Sequence, residues 1–505
     1  MQGKQLNQHK NLALRRKLMY KFERYRQLGL TDFDQPVGLT MNPENRWVKK
    51  AQTIPWDAIE EKYAKLFPGK TGMPAKPLRM ALGSLLIQKQ LGFSDRELVE
   101  EITENPYFQY FIGLPGYQTE PPFVPSLLVE FRKRMTDDIL GEINEMIIAY
   151  NTPDGPTPGG GSNPDTTETD TDEHNGTLIL DATCAPQNIS FPQDVNLLNE
   201  ARENLEGIVD DLCRRFDYYV PRMYRRNARK DYLNLAKCKK RTSKKIRKAI
   251  KQQLQYIRRD RKYIDELLDT ECGLTPKQAE RLAVLDKVYE QQKYMYEHKV
   301  HSVPARIVSI SQPYIRPIIR GKAAAPVEFG AKMDLSLDEK GMARIEKMSF
   351  DAYNESDVLI AAVERYFKRT GHYPERILAD KIYRNRNNLA YCKERGIRLS
   401  GPSLGRPKKN TGTDKKVEYK DNADRTAVER AFALAKQKYG LGLITSRLDE
   451  TTRSSIALSI VAMNVDRICR SILRIFYDID FSRYRQHEFM LIFIQNNNME
   501  NLVCC

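Results

Sequence analysis

The sequence predicts an α/β protein whose first part is entirely helical. Apolar residues recur at the helical period in the first 150 residues, most clearly at 78–91. Farther along, short apolar runs such as 177–181 and 376–380 alternate with helical patterns, which is typical of a sheet flanked by helices. The chain has 505 residues, which is enough for several domains.

We expect residues 1–150 to form a helical DNA-binding domain of the helix-turn-helix type. Gly92 ends one helix, and Ser94 with Glu97 forms a capping box that starts the next. A third helix, 126–135, ends in a cluster of three basic residues. Helical hairpins without a DNA-binding role are commoner than DNA readers, so this pattern alone decides little.

Residues 151–176 are rich in Pro, Gly, Thr and acidic side chains, which predicts a flexible linker. A second domain is expected over 177–480 and a tail over 481–505. Within the domain we predict strands at 177–181, 306–311, 315–319, 327–337, 343–350, 376–380 and 397–400. Helices are predicted over most of 195–300, at 355–370, 385–395, 426–439 and 454–477, and a basic polar loop at 403–424.

The positive charge is concentrated in one segment. The formal net charge is +16, and residues 214–262 contain 20 Lys and Arg against three acidic residues. Like charges this dense destabilise a helix unless an anion neutralises them, so we favour contact with nucleic acid over a solvated helical face. Four residues represent this segment as predicted DNA contacts: Lys244, Lys245, Arg247 and Lys248.

Several classes of protein are disfavoured. No apolar run is long enough for a membrane helix, and the polar start lacks the apolar core of a signal peptide. The eight cysteines have neither disulfide-framework nor zinc-site spacing. No ATP-binding loop is present, and the Ser, His and Cys residues suggest no nucleophilic triad. We therefore expect a cytoplasmic protein that needs no ATP and no membrane.

Three acidic residues are candidates for metal binding. Asp181 and Asp380 each end a predicted strand, where open α/β sheets bind their ligands, and Glu429 lies on a later helix. Converging carboxylates repel one another unless a cation lies among them, and Mg²⁺ or Mn²⁺ prefers such oxygen ligands. Two such ions support in-line displacement at a phosphodiester. Each acid taken singly is more often a turn, a helix cap or an exposed side chain.

These blocks resemble a DDE transposase of an insertion sequence, close to the eleven-eighty-two group of the insertion-sequence-five-like superfamily. The resemblance covers roughly residues 45–470. It is carried by 180–183 with 191–202, by 310–322 with 327–332, by 379–383, and by the spacing Arg425-x3-Glu429-x6-Lys436. One departure is that Asn422 stands where the family's signature usually has Tyr.

The resemblance implies a ribonuclease H-like core, a mixed sheet flanked by helices, with a helical basic insertion at about 195–300. It implies that Asp181, Asp380 and Glu429 hold two Mg²⁺ or Mn²⁺ ions. It also implies binding to terminal inverted repeats, cleavage, and transfer of 3′-OH ends into target DNA, in a bacterial nucleoid. Synapsis of two ends implies at least a homodimer.

Two other functions remain open. The first is a DNA-binding protein derived from a transposase that no longer cleaves, and the second is a metal-dependent nuclease or resolvase. Positions 425, 429 and 436 share one helical face, so we expect Arg425 and Lys436 to contact phosphates beside Glu429, although Arg425 and Glu429 also have the spacing of an ordinary surface ion pair. Lys381 and Tyr383 are further candidate DNA contacts, since they follow Asp380.

Overall fold

The computed structural model describes residues 29–64, 75–152, 174–319, 327–401 and 415–472. The predicted linker and the predicted C-terminal tail lie largely or wholly outside these ranges. The first part of the chain is helical. Its α-helices, within the described ranges, are α1 (Arg46–Gln52), α2 (Trp56–Ala64), α3 (Leu78–Leu91), α4 (Asp95–Glu104), α5 (Pro106–Phe111), α6 (Leu127–Arg134) and α7 (Asp137–Tyr150).

The turn between α3 and α4 follows the sequence signals. Gly92 adopts φ +77°, the left-handed conformation that ends α3 at little cost for glycine. The Ser94 hydroxyl oxygen then caps α4 by accepting from the Glu97 amide, and the Glu97 carboxylate accepts from the Ser94 amide. Arg132, from the basic cluster on α6, is mostly buried and donates to Gln88 and Asp95. That side chain therefore ties the helices together and is not exposed for a phosphate.

One mixed sheet forms the centre of the remaining chain. Its strands are β1 (Thr177–Pro186), β2 (Arg316–Ile319), β3 (Val327–Leu337), β4 (Ala343–Ser349), β5 (Arg376–Ala379) and β6 (Arg398–Leu399). β1 is central: it pairs antiparallel with β3 and parallel with β5. β2 and β4 both pair with the far edge of β3, and β6 extends the sheet beyond β5 in parallel.

Helices cover both faces of this sheet. Helix α12 (Leu359–Thr370) and helix α13 (Arg386–Glu394) pack with Leu178, Leu180 and Ile377 on one face. The other face packs against α14 (Lys415–Lys438) and a further helix, α15, over 449–472. Because side chains alternate along a strand, odd-numbered residues of β1 point toward α14 and even-numbered ones toward α12.

The long basic region lies between β1 and β2 as four helices: α8 (Asp194–Phe216), α9 (Arg225–Ala236), α10 (Ser243–Leu268) and α11 (Pro276–His298). They bury their own apolar cluster, which includes Leu205, Ile257 and Leu285. The prediction of a strand at 306–311 is wrong. That segment is irregular, and its apolar residues Ile307 and Ile310 pack into the helical cluster and not into the sheet.

The loop predicted at 403–424 is described only from 415 onward, and residues 415–424 are helical, because they belong to α14, which begins at Lys415. Arg376 of β5 and Arg398 of β6 both bind Asp421, which is buried on α14. Burial opposes ionisation of Asp421, but these two arginines nevertheless hold its pKa below the usual value. The ion pairs therefore fix the helix along the parallel strands.

The N-terminal helices pack directly onto this side of the molecule. Trp47 and Leu85 belong to the same hydrophobic cluster as Val428 and Ile456 of α14 and α15. A buried ion pair joins Lys50 to Asp466 at 2.6 Å across this junction. Within the described ranges, no helix is both long enough and apolar enough to cross a membrane.

Candidate functional site

The sheet register brings Asp181 and Asp380 together. Leu180 on β1 pairs with Ala379 on β5, so the next residue on each chain is an aspartate. Neighbouring strands lie about 4.8 Å apart. Ile179 and Leu378, two residues earlier, both lie in the cluster facing α14, so both aspartates leave the sheet on that face.

Each aspartate is also held by its own chain. The Asp181 carboxylate accepts a hydrogen bond from the Ala182 amide at 2.9 Å, and its side chain is 19% exposed. Asp380 is exposed and caps a short three-ten turn, Lys381–Tyr383, by accepting from the Lys381 amide at 2.7 Å. The two carboxylates therefore differ in environment, since one is half-buried and the other faces solvent.

Helix α14 carries both Glu429 and Arg425, and Arg425 lies between Glu429 and Asp181. The Arg425 guanidinium lies 4.0 Å from Asp181 Oδ2 and 3.3 Å from Glu429 Oε1. The Arg425 guanidinium thus faces two carboxylates, that of Asp181 on the sheet and that of Glu429 on the helix. The ordinary i,i+4 ion pair between Arg425 and Glu429 is present, and it forms beside Asp181.

Electrostatics at Asp181 favour a cation. Burial raises the pKa of Asp181, and the neighbouring Asp380 and Glu355 raise it further, while the Ala182 amide and Arg425 act in the opposite direction. Hard oxygen donors of this kind suit Mg²⁺ or Mn²⁺. In the described part of the chain, however, no three acidic, His or Cys side chains are close enough to hold an ion. The three acids predicted to bind metal therefore do not form a complete metal site in this structure, and the Arg425 guanidinium lies between Asp181 and Glu429.

A polar cluster that sequence reasoning missed lies on the other face of the sheet. Asp334 on β3 is completely buried, and the hydroxyls of Tyr353 and Tyr383 donate to its two oxygens. Burial raises the pKa of Asp334 to about 6. Beside it, Lys332 binds Glu355 at 2.8 Å. The sequence signal that could have revealed this cluster is Asp334 itself, an acidic residue within a largely apolar strand. An aspartate is rarely buried unless it has partners, so its position predicts nearby hydrogen-bond donors.

The candidate DNA contacts near the acids have different surroundings. Lys381 is exposed next to Asp380, and Lys436 is partly buried on α14. Tyr383 is 0% exposed, so in this structure its side chain is not available for the predicted contact with DNA. Its ring belongs to the core beneath the sheet and its hydroxyl is bonded to Asp334. Asn422, the departure from the family signature, is exposed on α14.

The candidate contacts in the insertion lie in the first turns of α10. Lys244, Lys245 and Lys248 are exposed, whereas the Arg247 guanidinium stacks 4.1 Å from the centre of the Tyr296 ring on α11. Three exposed ammonium groups within five residues make a strongly positive surface. Arg247 serves at least partly to join α10 to α11.

Comparisons with known proteins agree with these observations. Residues 377–466, which include Asp380, Arg425 and Glu429, match the family model "Transposase DDE domain". Residues 39–134 match the model "Transposase domain (DUF772)". A protein of Rhizobium meliloti described as "Uncharacterized protein ORF8 in nfe locus" is 28% identical over 175 residues, which is 34% of this chain and 77% of that protein. No solved structure matches the chain.

The two matched regions lie on either side of the insertion, and they pack on each other through the cluster that contains Trp47 and Val428. The Arg-x3-Glu-x6-Lys spacing falls inside the second of them, on the helix that faces Asp181. The chain thus contains two regions similar to transposase domains, and this combination is consistent with a DDE transposase.

Proposed function

We propose that this protein binds the terminal inverted repeats of its own insertion sequence, cleaves the DNA there and joins the freed 3′-OH ends to target DNA. The observation that carries the proposal is the meeting of Asp181, Asp380 and the Arg425–Glu429 pair where β5 ends beside the middle of the central strand β1. The transposase domain model that covers Asp380 and Glu429 supports it.

We also propose that the sheet is a ribonuclease H-like core. Support comes from its mixed strand directions, from helices on both faces, and from the insertion after the first strand. Asp181, Asp380 and Glu429 would hold the divalent ions. Two bound Mg²⁺ or Mn²⁺ ions would supply an activated water or 3′-OH and stabilise the leaving oxygen.

The chain's own residues explain how the site stays poised. Without a divalent cation, the three carboxylates repel one another, and Arg425 provides the compensating charge between Asp181 and Glu429. When Arg425 turns toward a DNA phosphate, both carboxylates are released to act as ligands. Lys381, exposed beside Asp380, is placed to bind the same DNA strand.

The insertion supplies the larger part of the DNA contact in this proposal. Its exposed lysines on α10 attract the phosphate backbone without reading base sequence. We propose that terminal-repeat recognition belongs to the N-terminal helices. A complex that holds two DNA ends would contain at least two copies of the chain.

The function can be tested with the purified protein, Mg²⁺ and DNA that carries the inverted repeats flanking its gene. Strand-transfer products that depend on those repeats are the expected result. Cleavage of any DNA sequence at the same rate would favour a nuclease or resolvase. Repeat-specific binding without cleavage or joining in Mg²⁺ or Mn²⁺ would favour a DNA-binding protein that no longer catalyses transposition.

Neutralising the α10 lysines tests the role of the insertion. The triple variant Lys244→Gln, Lys245→Gln, Lys248→Gln should bind DNA about tenfold more weakly or worse at moderate salt. The slope of log affinity against log salt should fall by about 3, since each phosphate contact adds about 0.9. Binding measured by fluorescence anisotropy over a salt series gives both values.

The matched control removes the same charge from exposed lysines outside the basic segment. Its substitutions are Lys277→Gln, Lys287→Gln and Lys340→Gln. It should leave the slope unchanged. If the two triple variants behave alike, α10 does not contact DNA.

A further inference from the structure

The buried Asp334 connects two loops that flank the candidate site. Tyr353 precedes the short turn Glu355–Val358, and Tyr383 ends the turn that Asp380 caps. Their hydroxyls donate to different oxygens of the same carboxylate. Asn388 on α13 joins the same two loops, since its side chain donates to the carbonyls of Ser356 and Tyr383 at 2.8 Å each.

The Asp380 turn has few other attachments. It is three residues long, and Ile382 and Lys381 are exposed. Within the described residues, the Asp380 carboxylate accepts a hydrogen bond from the Lys381 amide, which belongs to the same turn. Tyr383 is the buried residue of the turn, and its side chain anchors the turn to β3 through Asp334.

We propose that Tyr383 and Asp334 are positioning residues, which hold the Asp380 turn so that its carboxylate stays beside Asp181. This inference rests on the proposed function, because Asp380 is a ligand only in that proposal. β3 pairs with β1 from Gly330 to Leu337, and Ala182 is the register partner of Asp334. Through Tyr383 and Asp334, the Asp380 turn is therefore attached to β3, the strand that pairs directly with the strand carrying Asp181.

The two tyrosines provide a matched pair of variants. Tyr383→Phe and Tyr353→Phe each remove one hydroxyl from the same buried carboxylate, and each leaves one donor in place. Their loss of thermal stability should be similar, a shift of a few degrees in melting temperature. They differ in which loop they release, since only Tyr383 belongs to the turn of Asp380.

The measurements are the Mg²⁺ concentration for half-maximal cleavage, the Mn²⁺ dissociation constant by titration calorimetry on the full chain, and the melting temperature. Tyr383→Phe should raise the Mg²⁺ requirement and the Mn²⁺ dissociation constant about tenfold, the usual scale for a residue that orients a ligand. Tyr353→Phe should change both by less than twofold. Asp334→Asn, which keeps the size and one acceptor oxygen, should shift both in the same direction as Tyr383→Phe.

Equal metal effects for the two Phe variants would overturn the inference and leave a purely structural role for the cluster. Unchanged metal binding in Tyr383→Phe would overturn it as well. The proposed function fails in a different way: the wild-type protein then gives no Mg²⁺-dependent cleavage. In that case the calorimetric Mn²⁺ titration still tests whether Tyr383 and Asp334 position Asp380. A wild-type chain that binds no Mn²⁺ would refute both the positioning role and the proposed function.

Discussion

Asp380→Asn should reduce DNA cleavage by about a thousandfold, equivalent to about 4 kcal/mol in the activation barrier. The substitution keeps the shape of the side chain and its bond from the Lys381 amide, but it replaces a charged metal ligand with a neutral amide. DNA affinity should stay within a few-fold, because the exposed lysines of α10 are unchanged. Cleavage of end-labelled DNA and anisotropy with the same duplex measure the two effects.

The control is Asp269→Asn, which makes the same change at an exposed aspartate at the end of α10. It should cleave at the wild-type rate. An Asp380→Asn protein with full cleavage activity would remove Asp380 from the site. A joint loss of cleavage and DNA binding would point to a folding defect, which the melting temperature would reveal.

Asp260→Asn should stabilise the helical insertion at pH 8. Asp260 lies on α10 with 0% exposure, and among the residues that the structure describes neither of its carboxylate oxygens has a hydrogen-bond partner. Burial raises the pKa of Asp260 to about 7, and Glu206 on α8 raises it too, while Arg202, Arg259 and Arg225 act against the shift. The charged form is therefore costly in the folded state.

The direction of the pH dependence follows from this shift. The folded pKa of about 7 exceeds the unfolded value of 3.8, so the stability that the protonated Asp260 contributes is lost as pH rises toward 7. From pH 5.5 to pH 8 the wild-type protein should lose about 2 kcal/mol of folding free energy that the Asn variant keeps, at about 1.4 kcal/mol per pH unit. Urea unfolding at both pH values measures the difference.

Asp265→Asn on the same helix is the control, because Asp265 is 57% exposed and paired with Arg261. Its effect should be small and should not change between pH 5.5 and pH 8. If Asp260→Asn destabilised the protein equally at both pH values, Asp260 would be ionised and paired in the folded state.

Sequence patterns predicted the parts of the site that depend on local order. The run at 376–380 forms a strand that ends at Ala379 and is followed by Asp380 as expected, whereas the strand predicted at 177–181 continues to Pro186, so Asp181 lies in its middle and not at its end. The helix that carries Glu429 was also expected, although it begins at Lys415 and not at Thr426. Its polar first turns hid the start, since they bind Arg376 and Arg398 and not an apolar core.

Other parts depended on contacts between distant segments. The run at 306–311 has the apolar content of a strand, yet it is irregular: Ile307 and Ile310 pack against the inserted helices, whereas Val308 belongs to the cluster that includes the sheet. Tyr383 follows Asp380 closely enough to suggest a shared role in DNA binding, but a residue three positions along a tight turn points to the other side of the sheet. No local pattern reveals that direction.

The amino-acid sequence by itself determined the helical first part, the basic character of 214–262, and the identity of three acids separated by up to 248 positions. Periodicity, charge and residue type are local properties, so they can be read without coordinates. Only the tertiary structure decided which carboxylates share Arg425 and which one lies buried between two tyrosines. Those pairings follow from strand register and helix packing, which bring together residues that are remote along the chain.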